Sequence, residues 1–107
     1  MVSHMRGKIC DLDAVLAMCE KHGVYLIEDA AHSLGVFWKG KHTGHHGKIS
    51  AVSSQSYKMI NSGEGGFLLT NDPEVGAAAA VYAGAYEALN AKHITVPGPE
   101  YFKGKVT

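Results

Sequence analysis

The sequence predicts an α/β fold: a mostly parallel sheet with flanking helices. Three observations carry this. An amphipathic stretch, Asp11 to His22, runs through Gly23 straight into an apolar stretch, Val24 to Glu28. Helix followed directly by buried-type strand is the signature of layered α/β packing. Two more short apolar runs, Ile49 to Ser53 and Phe67 to Thr70, bracket a polar, glycine-rich segment. A second helix start, Asn71-Asp72-Pro73-Glu74, then follows at once.

In order along the chain, Met1-Val2-Ser3 reads as the tail of a strand, and Ser3 to Ile9 as a connection in which Gly7 supplies a positive φ. Asp11 caps the first helix. Leu12, Val15, Leu16 and Cys19 form its apolar stripe at i, i+3, i+4 and i+7. Lys21 and His22 suit the negative end of the helix dipole, and Gly23 is the residue expected just past a helix end. Val24, Tyr25, Leu26 and Ile27 are continuously apolar, as in a strand covered on both faces. Asp29 then falls at the carboxyl end of that strand, the edge where open α/β sheets bind ligands.

Ser33 to Lys39 reads as a short strand or extended piece, and Lys39-Gly40-Lys41 as a turn. His42, His45 and His46 lie in a glycine-bracketed loop ending at Gly47. Such a cluster can hold a metal, but no Cys or acidic neighbour in the sequence completes a site, and the glycines suggest a mobile, solvated loop. The second helix is expected from Pro73 toward Asn90, with proline in the first turn and an Asx cap. Gly76 and Gly84 each weaken it by about 1 kcal/mol relative to alanine. Pro97, Gly98 and Pro99 mark residues 94–107 as a loop or tail. No internal repeat and no domain boundary is visible.

The 107 residues carry 10 Lys+Arg and 10 Asp+Glu, so the formal charge is zero. Nothing in that balance attracts nucleic acid or an anionic membrane. With 46% apolar and 19% charged residues the composition is globular. No apolar run is long enough to cross a bilayer, and residues 1–10 lack the apolar core of a signal peptide. Cys10 and Cys19 read as unpaired thiols of a cytoplasmic protein.

The chemistry-bearing stretch is Ser53-Ser54-Gln55-Ser56-Tyr57-Lys58, followed by Asn61-Ser62-Gly63-Glu64-Gly65-Gly66. It places one lysine among small polar residues in a loop after a strand, where functional groups concentrate. Such a lysine is either a Schiff-base nucleophile or a solvated surface residue. The glycines are not a phosphate loop, because no Gly-Lys-Ser/Thr follows. They are not a dinucleotide fingerprint, because they precede a strand. Asp29 is equally open between a turn aspartate and a site acid.

Three motifs, IEDAAH (27–32), AVSSQSYK (51–58) and NSGEGG (61–66), in this order and spacing resemble the DegT/DnrJ/EryC1/StrS family of pyridoxal-phosphate-dependent aminotransferases acting on sugars and cyclitols. The similarity runs from about Ser3 to Tyr86 and includes a His-x-x-Gly at His4 and Gly7. It implies a fold-type I enzyme. Family members are several-fold longer, so residues 1–107 would be a single partial coenzyme domain from the middle of the large domain, cut at both ends. The implied reaction moves an amino group from an amino acid, glutamate or glutamine, to a keto sugar or keto cyclitol, within a homodimer.

The resemblance also assigns residues. Lys58 matches the Schiff-base lysine, which then carries the proton between the substrate carbon and the coenzyme. Asp29 matches the acid facing the ring nitrogen, His32 the residue stacked on the ring, and Ser53 a phosphate-binding serine. Ser54, Gln55 and Asn61 are further phosphate or supporting contacts. Lysine at 58, in place of the histidine of dehydrase relatives, implies transamination. The rival reading is a non-catalytic remnant, a small α/β domain that associates or dimerises.

Overall fold

The computed structural model describes residues 1–83. They divide into two compact units, residues 1–71 and a unit beginning at Asp72.

The first unit holds a four-stranded sheet of β1 (Val2–Ser3), β2 (Ile27–Asp29), β5 (Ile49–Ser53) and β6 (Gly66–Leu69), in that spatial order. β1, β2 and β5 are mutually parallel, and β6 runs antiparallel beside β5. This is the mostly parallel sheet that the alternation of helix and apolar runs implied. Helix α1 (Leu12–Lys21) is the crossover from β1 to β2. Its cap is the one expected: the Asp11 carboxylate accepts the Ala14 N–H at 3.1 Å.

β2 is shorter than the apolar run that suggests it. Val24 and Tyr25 lie outside the strand and are exposed. Along β2 only the Glu28 face is buried, and Ile27 on the other face is largely exposed. A continuous apolar pattern fits a strand covered on both sides, whereas the described part of this unit closes over one side only.

β3 (Phe37–Trp38) and β4 (Lys41–His42) form a separate antiparallel hairpin. Lys39 and Gly40 turn it with φ of 47° and 80°, the doubly positive pattern of a two-residue hairpin loop. Asp13 of α1 accepts from Trp38 Nε1 at 3.1 Å and pairs with Lys39, tying the hairpin to the helix.

The interior is as polar as it is apolar. Leu12, Leu26, Ala30 and Val52 are buried with His4, Glu28, Ser33, Thr43, Ser50 and Ser54. The Thr43 hydroxyl lies 2.8 Å from the Ser33 carbonyl, and its amide donates to Val36. Cys10 and Cys19 are free thiols.

In the second unit α2 spans Pro73–Tyr82, its N-terminus capped by Asp72, which accepts from the amides of Glu74 and Val75. The expected continuation toward Asn90 and the loop at 94–107 lie outside the described residues. No described helix is long and apolar enough to cross a membrane.

Candidate active site

Strand register sorts the polar residues. Side chains alternate across a sheet, and Ser3, Asp29 and Ala51 are aligned on β1, β2 and β5. Ser53, two residues beyond Ala51, shares their face. Glu28, Ser50 and Val52 occupy the other face and are buried. The carboxyl ends of the three parallel strands therefore present Ser3, Asp29 and Ser53 on one open side, with the lysine loop leaving from the end of β5.

Asp29 is held at both carboxylate oxygens. Oδ1 accepts the Ala31 N–H at 3.1 Å, and Oδ2 accepts the Ser3 hydroxyl at 2.9 Å. The Ala31 amide, then the Ser3 hydroxyl, keep its carboxyl below the usual aspartate value against a small opposing effect of burial; His32 and His4 add to the lowering. Ser3, His4, Met5, Asp29, Ala31 and His32 line an open cleft of about 40 Å³. That is far below the ~300–1,000 Å³ of a complete ligand pocket, so these residues form one wall of a site. His32 is exposed on this wall.

The loop after β5 is knit by its own side chains. Ser53 Oγ accepts the Gln55 amide at 3.3 Å. Gln55 Oε1 accepts the Tyr57 amide at 3.3 Å. Buried Ser54 pairs with Ser62, hydroxyl to hydroxyl, at 2.8 Å. Asn61 closes the loop from both ends of its amide, donating to Ser56 O at 2.8 Å and accepting the Gly63 N–H at 2.9 Å. Ser54, Gln55 and Asn61 thus shape the loop that carries Lys58. The Lys58 backbone N–H donates to Gln55 O at 2.9 Å. Its side chain is half-buried and makes no hydrogen bond or ion pair with the described residues.

Two residues of consequence were not legible as such. Glu28 reads as the end of a strand, yet its buried carboxylate accepts four bonds. Oε1 takes the amides of His46 (2.7 Å) and Gly47 (2.6 Å); Oε2 takes the Gly44 amide (2.8 Å) and His4 Nε2 (2.9 Å). Burial pushes the Glu28 carboxyl up, but the Gly47 amide, the His4 imidazole and the amides of Gly44 and His46 bring it below the ordinary value. Ser3 is the other, because its partner lies 26 positions away.

The 42–47 loop is accordingly anchored, which corrects the mobility expected from its glycines. Gly44 has φ of 89°, and a Cβ on Gly47 would sit 2.6 Å from the Leu26 carbonyl oxygen. These glycines permit close approach, Gly44 to the Ser50 side chain of β5 and Gly47 to the Leu26 backbone just before β2. His42 Nε2 accepts the Gly35 N–H at 2.7 Å while its Nδ1 contacts the Thr43 carbonyl, so both ring nitrogens are engaged. Among the described residues no group of His, Cys, Asp and Glu is placed to hold a metal.

Comparison with known proteins decides the ancestry. The model of the DegT/DnrJ/EryC1/StrS aminotransferase family matches residues 1–91. The chain belongs to this family. L-glutamine:scyllo-inosose aminotransferase of Streptomyces griseus is 37% identical over 97 residues, covering 91% of this chain and 20% of the relative. GDP-perosamine synthase of Caulobacter vibrioides is 39% identical over 77 residues, covering 72% and 21%. Among solved structures, an aminotransferase from Psychrobacter cryohalolentis superposes with a TM-score of 0.77 at 34% identity, over 91% of this chain and 25% of that one. DesI, solved with its TDP-sugar product, gives a TM-score of 0.71 at 29% identity, over 82% and 23%. The chain thus spans about a fifth of the length of the curated relatives it matches. Family aminotransferases are pyridoxal-phosphate-dependent, and the fold is that of the fold-type I enzymes.

Proposed function

We propose that these residues are the coenzyme-anchoring segment of an aminotransferase that moves an amino group from glutamine or glutamate to a keto cyclitol or keto sugar. The observation that carries it is the placement of Asp29 and Ser53 on one open face, at the carboxyl ends of adjacent parallel strands, with the Lys58 loop departing from there.

The residues fit pyridoxal phosphate. Asp29 stays ionised at neutral pH, as required of a group that holds a proton on a pyridine nitrogen. With two acceptor positions used, its carboxylate keeps others for a ring N–H. The Ser53 hydroxyl, an acceptor from Gln55, retains its own hydrogen for a phosphate oxygen. His32 offers an exposed imidazole beside Asp29 on the same cleft. The bound coenzyme supplies an electron-withdrawing ring that delocalises charge from the reacting carbon. Lys58 would be the amine that holds the coenzyme and the group that would carry the proton at the substrate carbon. The sequence relatives named for cyclitol and sugar substrates support the acceptor class, and glutamine in one of those names supports the donor.

The test is direct. Pyridoxal phosphate added to the protein should give a visible absorption band. Borohydride reduction followed by peptide mass mapping should place the coenzyme on Lys58. Labelling spread over surface lysines, unchanged in Lys58→Ala, would refute the assignment.

One observation favours association as well. Tyr57 and Met59, which flank Lys58, are 92% and 82% exposed. Apolar side chains so placed suit a partner surface, and a second copy of the chain is the partner proposed. A chromatographic mass of one chain, unchanged with coenzyme present, would overturn that.

A further inference from the structure

We propose that Ser3 is a positioning residue for the Asp29 carboxylate, held in register against it by the buried His4–Glu28 pair. The inference rests on the reading of Asp29 as the acid that meets the coenzyme's ring nitrogen.

The terminal torsion of an aspartate is broad. A single bond from Ala31, two residues along, fixes one oxygen and leaves the plane of the carboxylate free to swing. The Ser3 hydroxyl reaches the other oxygen from a different strand, at 2.9 Å. Two donors from two elements, one on each oxygen, define the plane and hence where the remaining lone pairs point.

The hydroxyl works only if β1 keeps its register on β2, because a one-residue slip would turn Ser3 to the opposite face. β1 is two residues long, with only Val2 and Ser3 paired to β2. His4 extends the lock past the strand end. Its backbone N–H donates to the Asp29 carbonyl at 2.9 Å, and its Nε2–H donates to the Glu28 carboxylate at 2.9 Å on the buried face. His4 is 1% exposed and its Nδ1 has no partner among the described residues. The ring is therefore committed to Glu28 at some cost, as a registration device would be. The titratable groups around Asp29 are His4 on the β1 side and His32 on the turn after β2, and both add to the lowering of its carboxyl. Neither is altered by a change at Ser3.

The experiment compares Ser3→Thr with Ser3→Val, which match in shape and differ in the hydroxyl. The Asp29 carboxyl is titrated by carbon NMR in the chain without coenzyme. Ser3→Thr should keep the midpoint below the ordinary aspartate value, and Ser3→Val should raise it. Pyridoxal phosphate affinity should fall about three- to tenfold in Ser3→Val only, the effect of one lost hydrogen bond. Ser3→Ala, with less bulk, gives the same comparison should valine disturb the strand. An unchanged Asp29 midpoint in both hydroxyl-free variants overturns the proposal, whatever Lys58 does. A midpoint that responds while borohydride leaves Lys58 unlabelled overturns the role of Asp29 instead, and with it the purpose assigned to Ser3.

Discussion

Replacing Glu28 with glutamine tests the network most sharply. The carboxylate accepts four hydrogen bonds, two at each oxygen, from His46, Gly47, Gly44 and His4. Glutamine keeps the shape but turns one acceptor into an NH₂ donor. If the NH₂ takes the Oε1 position, it faces two backbone N–H groups, and both are left buried without acceptors. If it takes the Oε2 position, His4 can change tautomer and accept from it, but the Gly44 amide stays orphaned and Nδ1 becomes a buried, unpaired donor. The second arrangement is the cheaper. An unsatisfied buried donor costs about 1–3 kcal/mol, and bonds to a charged acceptor are worth about 1.5–3 kcal/mol each. The expected loss is about 3 kcal/mol. With a urea m-value near 1 kcal/mol/M for a small domain, the midpoint should fall by about 3 M, or the variant should be unfolded in water. The assay is urea denaturation followed by far-UV circular dichroism at neutral pH, checked with Glu28→Asp, which keeps the charge and shortens the reach. A Glu28→Gln midpoint within about 0.5 M of the parent would show that the carboxylate does not hold these four donors, and the anchoring of the 42–47 loop would fall with it.

Other outcomes follow from the same contacts. Both Glu28 and Asp29 have carboxyls held below their ordinary values of 4.5 and 3.8 in the folded chain. Their contribution to stability is therefore complete above those values and is lost as pH falls through the lower folded ones. Acid titration of denaturant midpoints should show this decline, and Glu28→Gln should flatten it. Gly47→Ala places a Cβ 2.6 Å from the Leu26 carbonyl and should cost about 1–3 kcal/mol, read by the same denaturation; a neutral result would contradict the close approach of the loop to β2. Asp11→Ala removes the α1 cap and should cost about 1 kcal/mol, with loss of helical ellipticity confined to the unfolding baseline. Asp13→Ala should free Trp38 from α1 and shift its fluorescence, leaving the sheet intact.

Local pattern was enough for the helix and its cap, for the β5 strand at 49–53, for a turn at Lys39-Gly40 and for the start of α2, because each depends on neighbours within one or two turns of chain; that the turn closes a hairpin with Lys41–His42 was not legible. Motif order was enough for the family, and Asp29 at a strand end followed from the apolar run before it. The limits of β2 were not legible. Val24 and Tyr25 are as apolar as Leu26, and only the assembled sheet shows which of them finds a partner. The histidine loop was misread for a related reason. Glycine permits motion and close packing alike, and the choice was made by Glu28, which lies 16 to 19 positions away from the amides it binds.

By itself the amino-acid order determined the α/β class and the loop that carries Lys58, and its motif set pointed to the family. The tertiary structure decided which of two adjacent acids faces outward. Glu28 and Asp29 are chemically alike and consecutive, but a strand turns successive side chains to opposite faces. One carboxylate is consumed by buried amides and a histidine, while the other, held by Ser3 and Ala31, is left at an open cleft.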